Sequence, residues 1–233
     1  IKEDRNGKIW IGGNEGLYCY DPGLTGEKAF TQLVPDFIGC VFEDKAGNLW
    51  FNAGNRSSAG GMALNKYDGK TITRIIEKNK PGDSQVFEIT EDKNGNIWAG
   101  TDGGGLDFID LGSNTIKNFS ADGSPGSISD NAILCAYRDK DGDLWFGTYT
   151  GGLNLYRPDK ENFRAFRYSS EDTATIGGND VRAITGDDQG RIWIATNQGG
   201  LNVLDKNTGE FRRFNTANSN LGTNDIRALH IDQ

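Results

Sequence analysis

Short apolar runs alternate with polar, glycine-rich turns along the whole chain, and four kinds of run follow one another in a fixed order. In the last complete cycle, residues 179–184 precede an Asp-x-x-Gly tetrapeptide and residues 192–195 follow it. Leu201 and Val203 then alternate with polar residues, and a last run carries two bulky groups three apart. No capped stretch has the 3.6-residue apolar period of a helix. The pattern therefore predicts four short strands per cycle and almost no helix. The third strand is expected after a Gly-Leu or Gly-Met pair, which in the second cycle is Gly61-Met62, and the first strand is expected at residues 37–42, 86–89, 132–137, 179–184 and 226–231.

The tetrapeptide belongs to a motif, Asp-x-x-Gly-x-[Ile/Leu]-Trp, that occurs five times and contains every tryptophan of the protein. These tryptophans are Trp10, Trp50, Trp98, Trp145 and Trp193, spaced 40, 48, 47 and 48 residues apart. A constant period of this size is typical of repeat architectures in which each unit buries its apolar faces against its neighbours. Within the motif, Asp can accept hydrogen bonds from the backbone two residues on, and Gly supplies a positive φ, so a tight turn is expected.

Four antiparallel strands repeated with this period predict an all-β fold, a β-propeller of five four-stranded blades. We expect a single propeller domain or fragment over 1–233. Its repeats lie at about 1–36, 37–83, 84–129, 130–178 and 179–225, and 226–233 begin a sixth unit. Two arrangements fit the ends of the chain. Residues 226–231 could pair beside the strand of Trp10 and close a five-bladed ring, or the five units could be a piece of a larger ring.

The repeated tryptophan is predicted to be structural core. Adjacent sheets pack about 10 Å apart, and an indole fills such a gap. Burial of roughly 200 Å² at about 25 cal/mol per Å² contributes about 5 kcal/mol per tryptophan before entropy is subtracted.

Composition excludes some classes of partner. The net charge is -8 over 233 residues, whereas nucleic acids and anionic membrane surfaces require clustered Lys and Arg. No apolar run is long enough to span a bilayer. The three cysteines lie in apolar runs, and we interpret them as small buried hydrophobes.

Residues 139–154 and 187–202 resemble the two-component regulator propeller repeat, with Thr after the Trp strand and then Gly-Gly-Leu-Asn. Residues 125–131 are similar to the Ser-Leu-Ser-x-Asn segment that precedes strand one in that family. The first two repeats depart from the pattern, because Gly13 and Ala53 replace the Thr and residues 55–59 form an insertion.

The resemblance implies the extracytoplasmic sensor region of a hybrid two-component histidine kinase of the Bacteroides type, with a periplasmic location. It further implies paired seven-bladed propellers, a β-sandwich, a membrane helix and kinase parts. The implied ligands are oligosaccharides, and the intact protein would signal as a homodimer. His230 lies in a predicted strand and carries no phosphoacceptor motif.

In a propeller, the loops between strands two and three share one rim with the loops between blades, and a ligand is expected there. Polar and aromatic side chains in these loops suit sugar hydroxyls and a stacking face, although each residue could equally be an ordinary turn former. The candidate ligand-binding residues are Tyr149, Arg56, Asp102, Asn197, Asn14, Glu15, Arg182 and Arg227. Arg182 and Arg227 share one repeat position and could instead form ion pairs with a neighbouring blade.

Asp139, Asp141 and Asp143 have the spacing of carboxylates in a calcium loop. Other copies of the turn lack this set, so we predict no metal, and no motif predicts a cofactor. The favoured function is a non-catalytic ligand sensor. The alternatives are a propeller enzyme acting on carbohydrate, either a lyase or a glycoside hydrolase, and a protein-interaction platform. The single histidine argues against a histidine-dependent lyase.

Overall fold

The computed structural model describes residues 1–54, 63–76 and 85–232. Those residues form five four-stranded antiparallel sheets and one 3₁₀ helix, Gly26–Ala29. In each sheet the strands are neighbours in chain order. The predicted all-β fold with five four-stranded sheets and almost no helix is confirmed.

Sheet 1 contains β1 (Lys2–Glu3), β2 (Ile9–Gly13), β3 (Gly16–Tyr20) and β4 (Phe30–Val34). Sheet 2 contains β5 (Val41–Glu43), β6 (Leu49–Ala53), β7 (Ala63–Tyr67) and β8 (Ile72–Arg74). Sheet 3 contains β9 (Val86–Glu91), β10 (Ile97–Thr101), β11 (Leu106–Asp110) and β12 (Thr115–Phe119). Sheet 4 contains β13 (Ile133–Arg138), β14 (Leu144–Thr148), β15 (Leu153–Arg157) and β16 (Asn162–Phe166). Sheet 5 contains β17 (Val181–Gly186), β18 (Arg191–Thr196), β19 (Gly200–Asp205) and β20 (Phe211–Phe214).

The chain divides into two compact units, residues 1–117 (unit 1) and 118–233 (unit 2). In each unit the apolar core lies between successive sheets. In unit 1, Trp10 packs with Leu49 and Phe51 of sheet 2, and in unit 2, Trp145 packs with Ile192 and Ile194 of sheet 5. Trp10 and Trp145 therefore each fill the gap between their own sheet and the next sheet of the same unit.

Four of the five indoles are buried: Trp10 is 7% exposed, Trp50 0%, Trp98 2% and Trp145 1%. Trp193, in contrast, is half-buried. Sheet 5 is the last four-stranded sheet of the described residues, and the segment beside Trp193 is the irregular stretch that contains Leu229 and Ile231. A sheet would cover the ring more completely.

In four of the motifs, the first Asp links the turn to the tryptophan. Asp139 Oδ1 accepts backbone hydrogen bonds from Asp141 and Asp143, both at 3.0 Å, and Oδ2 accepts the Trp145 indole N–H at 2.8 Å. The same indole bond joins Asp4 to Trp10, Asp44 to Trp50 and Asp187 to Trp193. The Gly of each turn has a positive φ, for example +85° at Gly142, as the turn prediction requires. The motif is therefore one hydrogen-bonded unit that fixes the indole in its gap.

This arrangement predicts acid sensitivity. Burial raises the pKa of Asp187, but hydrogen bonds from the Trp193 indole and from Arg191 outweigh burial and lower that pKa to about 2. Because the folded-state pKa lies below the unfolded value of about 3.9, the ionised carboxylate stabilises the fold above about pH 4, and this contribution is lost as the pH falls towards 2. The urea midpoint should fall over this window, and in Asp187→Asn the fall should be smaller. An unchanged pH profile in the variant would contradict the assignment.

Three sequence predictions need correction. Residues 37–42 were expected to be a strand, but β5 begins at Val41. The Asn52 side-chain oxygen accepts hydrogen bonds from the N–H groups of Gly39 and Cys40 at 2.7 and 2.9 Å. These two N–H groups therefore do not pair with a neighbouring strand. The other two corrections concern the end of the chain and the third strand of the second repeat.

Residues 226–231 were expected to be a strand, but none is assigned there; Ile226 N–H donates to Thr196 at 3.2 Å. The position beside Trp10 that the closed-ring alternative assigned to them is held by Lys2 of β1. In the second repeat, Gly61 and Met62 lie outside the described residues. Asn52 and Gly147 both stand two residues after the motif tryptophan, and they pair with Leu64 and Leu153. Leu64 is therefore the counterpart of Leu153, two residues later than the expected Met62, so the insertion is longer than predicted.

Candidate functional site

In unit 2, the loops between the second and third strands lie against the segments that lead into the first strands. Tyr149 N–H donates to Ala132 at 3.0 Å, and Asn197 N–H donates to Asp180 at 2.9 Å. The Thr150 backbone and hydroxyl both donate to Asp130, at 2.6 and 2.7 Å. Burial raises the pKa of Asp130, but these hydrogen bonds outweigh it and the pKa is lowered. The two kinds of loop thus form one polar edge, as the rim prediction requires.

Four side chains on this edge form a cluster that we name the rim cluster: Tyr149, Asp180, Arg182 and Asn197. Asp180 Oδ2 accepts from the Arg182 guanidinium at 2.6 Å and from the Asn197 amide at 2.9 Å. The guanidinium carbon of Arg182 lies 5.7 Å from the centre of the Tyr149 ring, within range of a cation–π contact. The structure therefore brings together three of the predicted site residues around Asp180.

The rim cluster combines an exposed aromatic face with fixed polar groups. Tyr149 is 53% exposed, whereas the side chain of Asp180 is 15% exposed and that of Arg182 is 35% exposed. The carboxylate orients both the guanidinium and the amide, so neither needs to be ordered when a ligand binds. Such a surface can stack on one face of a ring and hydrogen-bond to hydroxyl groups at its edge.

Arg227 extends the cluster. Its guanidinium pairs with Asp225 at 3.0 Å, and Asp225 together with Asp180 raises the pKa of Arg227. Both predicted arginines therefore pair with the Asp two residues earlier in the chain. Among the described residues, neither arginine forms an ion pair with a neighbouring blade.

The remaining predicted residues lie elsewhere. Asn14 and Glu15 are exposed in the turn between β2 and β3 of unit 1, where the Glu15 carbonyl accepts the Gln32 amide at 2.7 Å. Asp102 is exposed in unit 1, and its backbone N–H donates to Gln85 at 2.8 Å. Arg56 lies outside the described residues.

Several polar residues of the motif are structural. Thr196 Oγ1 donates to the Gly200 carbonyl at 2.9 Å, and the Asn202 amide donates to Thr196 Oγ1 at 3.2 Å. Asn202 also accepts the Gly177 N–H at 2.7 Å, and Asn202 and Thr196 are both fully buried. These contacts tie the inter-blade segment to the strands. Thr196 and Asn202, which recur in the repeat, thus stabilise the fold and do not face a ligand.

The asparagine shortly before the first-strand segment of the later repeats also hydrogen-bonds to the backbone. Its side-chain oxygen accepts an N–H from the segment after the preceding fourth strand. The pairs are Asn131 with Ala121, Asn179 with Tyr168 and Asn224 with Thr216, at 2.7, 2.8 and 2.8 Å. This separates them from the freely presented side chain of Tyr149.

The calcium-like carboxylates are occupied by a side chain of the protein. The Lys206 ammonium donates to Asp139 and, at 2.7 Å, to Asp141, and it lies 3.6 Å from Asp143. The Lys206 side chain is 15% exposed, and Asp139 and Asp141 outweigh burial and raise its pKa. In the part of the chain that the structure describes, no group of His, Cys, Asp and Glu could hold a metal ion.

Comparison with known proteins identifies the repeat. A family model described as "Two component regulator propeller" matches residues 80–103, 127–150 and 175–198. These three segments are similar to two component regulator propeller repeats. The last two contain Tyr149 and Asn197 of the rim cluster, so the candidate site lies within the matched segments. No curated protein matches the chain.

Solved structures share the fold at low sequence identity. An extracellular domain assigned to a hybrid two component system of B. thetaiotaomicron has a TM-score of 0.70 and 22% identity over 93% of this chain. Virginiamycin B lyase from Staphylococcus aureus has a TM-score of 0.68 and 18% identity over 92% of this chain. PorZ of Porphyromonas gingivalis, from the type-IX secretion system, has a TM-score of 0.65 and 17% identity over 96%.

The chain spans 28% of the first of these structures, 68% of the lyase and 34% of PorZ. These neighbours are propeller domains, so the likeness establishes the fold. Within the described ranges, no helix has the length and apolarity that a membrane crossing needs.

Proposed function

We propose that this chain is a non-catalytic, ligand-sensing propeller segment from the periplasmic region of a hybrid two-component histidine kinase. The observation that carries the proposal is the rim cluster, an exposed Tyr149 ring flanked by Arg182 and Asn197, both held by Asp180. The match to two component regulator propeller repeats and the likeness to a B. thetaiotaomicron extracellular domain support a sensor. In the intact protein we propose signalling through a homodimer.

We further propose that the ligand is an oligosaccharide. A sugar ring offers an apolar face and a rim of hydroxyl groups that both donate and accept hydrogen bonds. Tyr149 can supply the stacking face, while Arg182 and the Asn197 amide can supply donors next to it. The ion pair with Asp180 neutralises Arg182, which favours a neutral sugar over an acidic one.

The second candidate is a propeller enzyme acting on carbohydrate, and the likeness to virginiamycin B lyase supports only its being an enzyme. A variant of that lyase, H270A, is described as catalytically inactive. This chain has one histidine, His230, whose side chain is 86% exposed in the irregular segment after sheet 5. It lines a pocket with Asp187 and Arg191 of the Asp-x-x-Gly turn and with no residue of the rim cluster, which supports binding without turnover.

The test is calorimetric titration of the chain with a panel of neutral and acidic oligosaccharides, together with product analysis of each mixture. Tyr149→Ala should weaken binding of the tightest-binding sugar by about tenfold or more, since stacking contributes on the order of 1–2 kcal/mol. The melting temperature should change little, because the ring is exposed.

Tyr168→Ala is the matched control. Tyr168 is 44% exposed and lies 5.5 Å from Arg213 in the same unit, but it is outside the rim cluster. It should leave sugar binding unchanged. Equal loss of binding in both variants, or a product released from any sugar, would overturn the proposal.

A further inference from the structure

A second cleft lies in unit 1, on the edge that carries the Asp-x-x-Gly turns and not on the rim. It occupies about 330 Å³ between sheets 1 and 2. Its lining includes Asp4, Trp10, Cys19, Glu43, Tyr67 and Gly69. The sensor proposal does not involve these residues.

The equivalent space in unit 2 is almost filled. There the volume that remains beside Trp145 is about 40 Å³. The strand registers show which residues in unit 2 stand at the positions that line the cleft in unit 1. Leu155 pairs with Trp145 where Cys19 pairs with Trp10, and Arg164 pairs with Leu155 where Thr31 pairs with Cys19.

The occupant of greatest interest is Lys206. It stands two residues after Leu204 of β19, and Gly69 stands two residues after Tyr67 of β7 at the same register. Unit 2 thus places an ammonium group against the motif carboxylates, whereas unit 1 has a glycine there and leaves the space open.

In four of the repeats, the motif carboxylate accepts a side-chain donor other than the indole. Asp44 accepts the Asn48 amide, Asp92 accepts the Asn96 amide, Asp187 accepts Arg191 and Asp139 accepts Lys206. Three of these donors stand two residues before the tryptophan. In the fourth repeat that residue is Asp143, which cannot donate when ionised, and Lys206 takes its place.

The first repeat departs from this rule. Its residue two before the tryptophan is Lys8, but the Lys8 ammonium pairs with Asp21 at 3.0 Å. Within the described ranges, Asp4 Oδ2 accepts from the Trp10 indole at 2.8 Å and from no second side chain. A carboxylate oxygen at the wall of an open cleft therefore has remaining acceptor capacity.

The other walls suit a cation with an apolar stem. Trp10 and Tyr67 meet edge to face, with ring centres 6.2 Å apart, and rings of this kind attract ammonium groups. Glu43 adds a second carboxylate, oriented by Arg5 at 2.8 Å. The carboxylates of Asp4, Glu43 and Asp21 outnumber the cations Lys8 and Arg5, so the surroundings favour positive charge.

We propose that this cleft binds a primary alkylammonium group, which enters as the Lys206 side chain does in unit 2 and donates to Asp4. The group could come from a free amine or from a lysine side chain of another protein. The ligand chemistry is the same in both cases, and the experiment separates them.

The experiment is calorimetric titration of the full chain with n-butylammonium, the lysine side chain without its backbone. Saturable binding is expected, and the neutral 1-butanol should not bind. Asp4→Asn should weaken n-butylammonium binding about tenfold, because a charge-assisted hydrogen bond is lost. Leu33 also lines the cleft, and Leu155 and Phe166 line the corresponding space in unit 2. The double variant Cys19→Leu with Leu33→Phe should therefore fill the cleft and abolish binding.

Asp44→Asn is the control for loss of a motif carboxylate, since Asp44 already accepts both Trp50 and Asn48. It should retain n-butylammonium binding. Because a motif variant could unfold, Glu43→Gln provides a second variant, again with weaker binding expected. Equal binding of 1-butanol, or binding that survives both Asp4→Asn and the cleft-filling variant, would overturn the proposal.

Two further titrations identify the source of the group. N-acetyl-lysine methylamide represents a lysine residue in a protein, and 1,5-diaminopentane represents a free amine. Tighter binding of the first assigns the cleft to a partner protein, and tighter binding of the second assigns it to a small amine. If neither compound binds and n-butylammonium does not bind either, the proposal is contradicted. The sugar-binding test at the rim is independent of that result.

Discussion

Replacing Trp145 by alanine is expected to lower the free energy of unfolding by about 3–5 kcal/mol, through loss of apolar contact and the cavity that remains. The ring is 1% exposed and packs in the gap between sheets 4 and 5. It also donates to Asp139, so the variant leaves a buried carboxylate oxygen with one donor fewer. Urea unfolding of the chain measures the change.

Trp193→Ala is the matched variant in the same unit. Trp193 makes the same indole bond, to Asp187 at 2.8 Å, but its ring is half-buried. Because less apolar surface is lost, its cost should be clearly smaller than that of Trp145→Ala. Equal costs would show that the gap between sheets is not what makes the repeated tryptophan important.

Removal of the Lys206 ammonium should have the next largest effect. In Lys206→Met, the carboxylates of Asp139, Asp141 and Asp143 would face one another without the cation that they now share. We expect a loss of about 2–3 kcal/mol, below the range for a fully buried pair because Asp141 is largely exposed. The methionine keeps most of the apolar stem, so urea unfolding should report the lost charge.

The sign of this effect can be checked by pH. Lys206 lowers the pKa of Asp141, whereas burial and Asp139 raise the pKa of Asp143. Without the ammonium, the carboxylates repel each other, and protonation should relieve the repulsion. The deficit of Lys206→Met relative to the natural chain should therefore shrink as the pH falls from 6 to 4. A constant deficit would mean that packing, and not charge, is what Lys206 contributes.

Much of the fold could be predicted because each repeat contains the residues that determine its own turn and its own packing. The Asp and Gly of each motif determine a local turn, and the Trp three residues after that Gly needs a gap between sheets, so five copies indicate five stacked sheets. Asp139, Gly142 and Trp145 do what the pattern predicts. Local chemistry and apolar period both act over a few residues, which is why a single sequence reveals them.

Features that depend on distant residues were not predictable. Lys206 reaches a turn that lies 65 residues earlier, and nothing near Asp141 indicates that a lysine will neutralise it. Asn52 removes two backbone donors from the expected strand at residues 37–42, although the apolar pattern there is regular. The partial exposure of Trp193 is set by the segment that covers the face of sheet 5, and the motif that contains Trp193 does not determine that segment.

The candidate site likewise has one part that the sequence predicts and one part that depends on distant contacts. Tyr149 stands out in the sequence because it is not a preferred turn residue, and it is indeed exposed at the polar edge of unit 2. That Asp180 would hold both Arg182 and Asn197 follows from loop contacts between a strand end and a turn 17 residues away. Sequence reasoning names such residues as rim candidates but cannot tell which one orients the others.

The most direct test of the central claim, that the motif is structural while the rim cluster binds the ligand, is NMR mapping of the chain during titration with the best oligosaccharide. We expect chemical-shift changes at the Tyr149 ring, the Arg182 guanidinium and the Asn197 side-chain amide, with the five indole N–H signals unchanged. Shifts centred on the indoles and on the Asp-x-x-Gly turns, with the rim cluster silent, would contradict it.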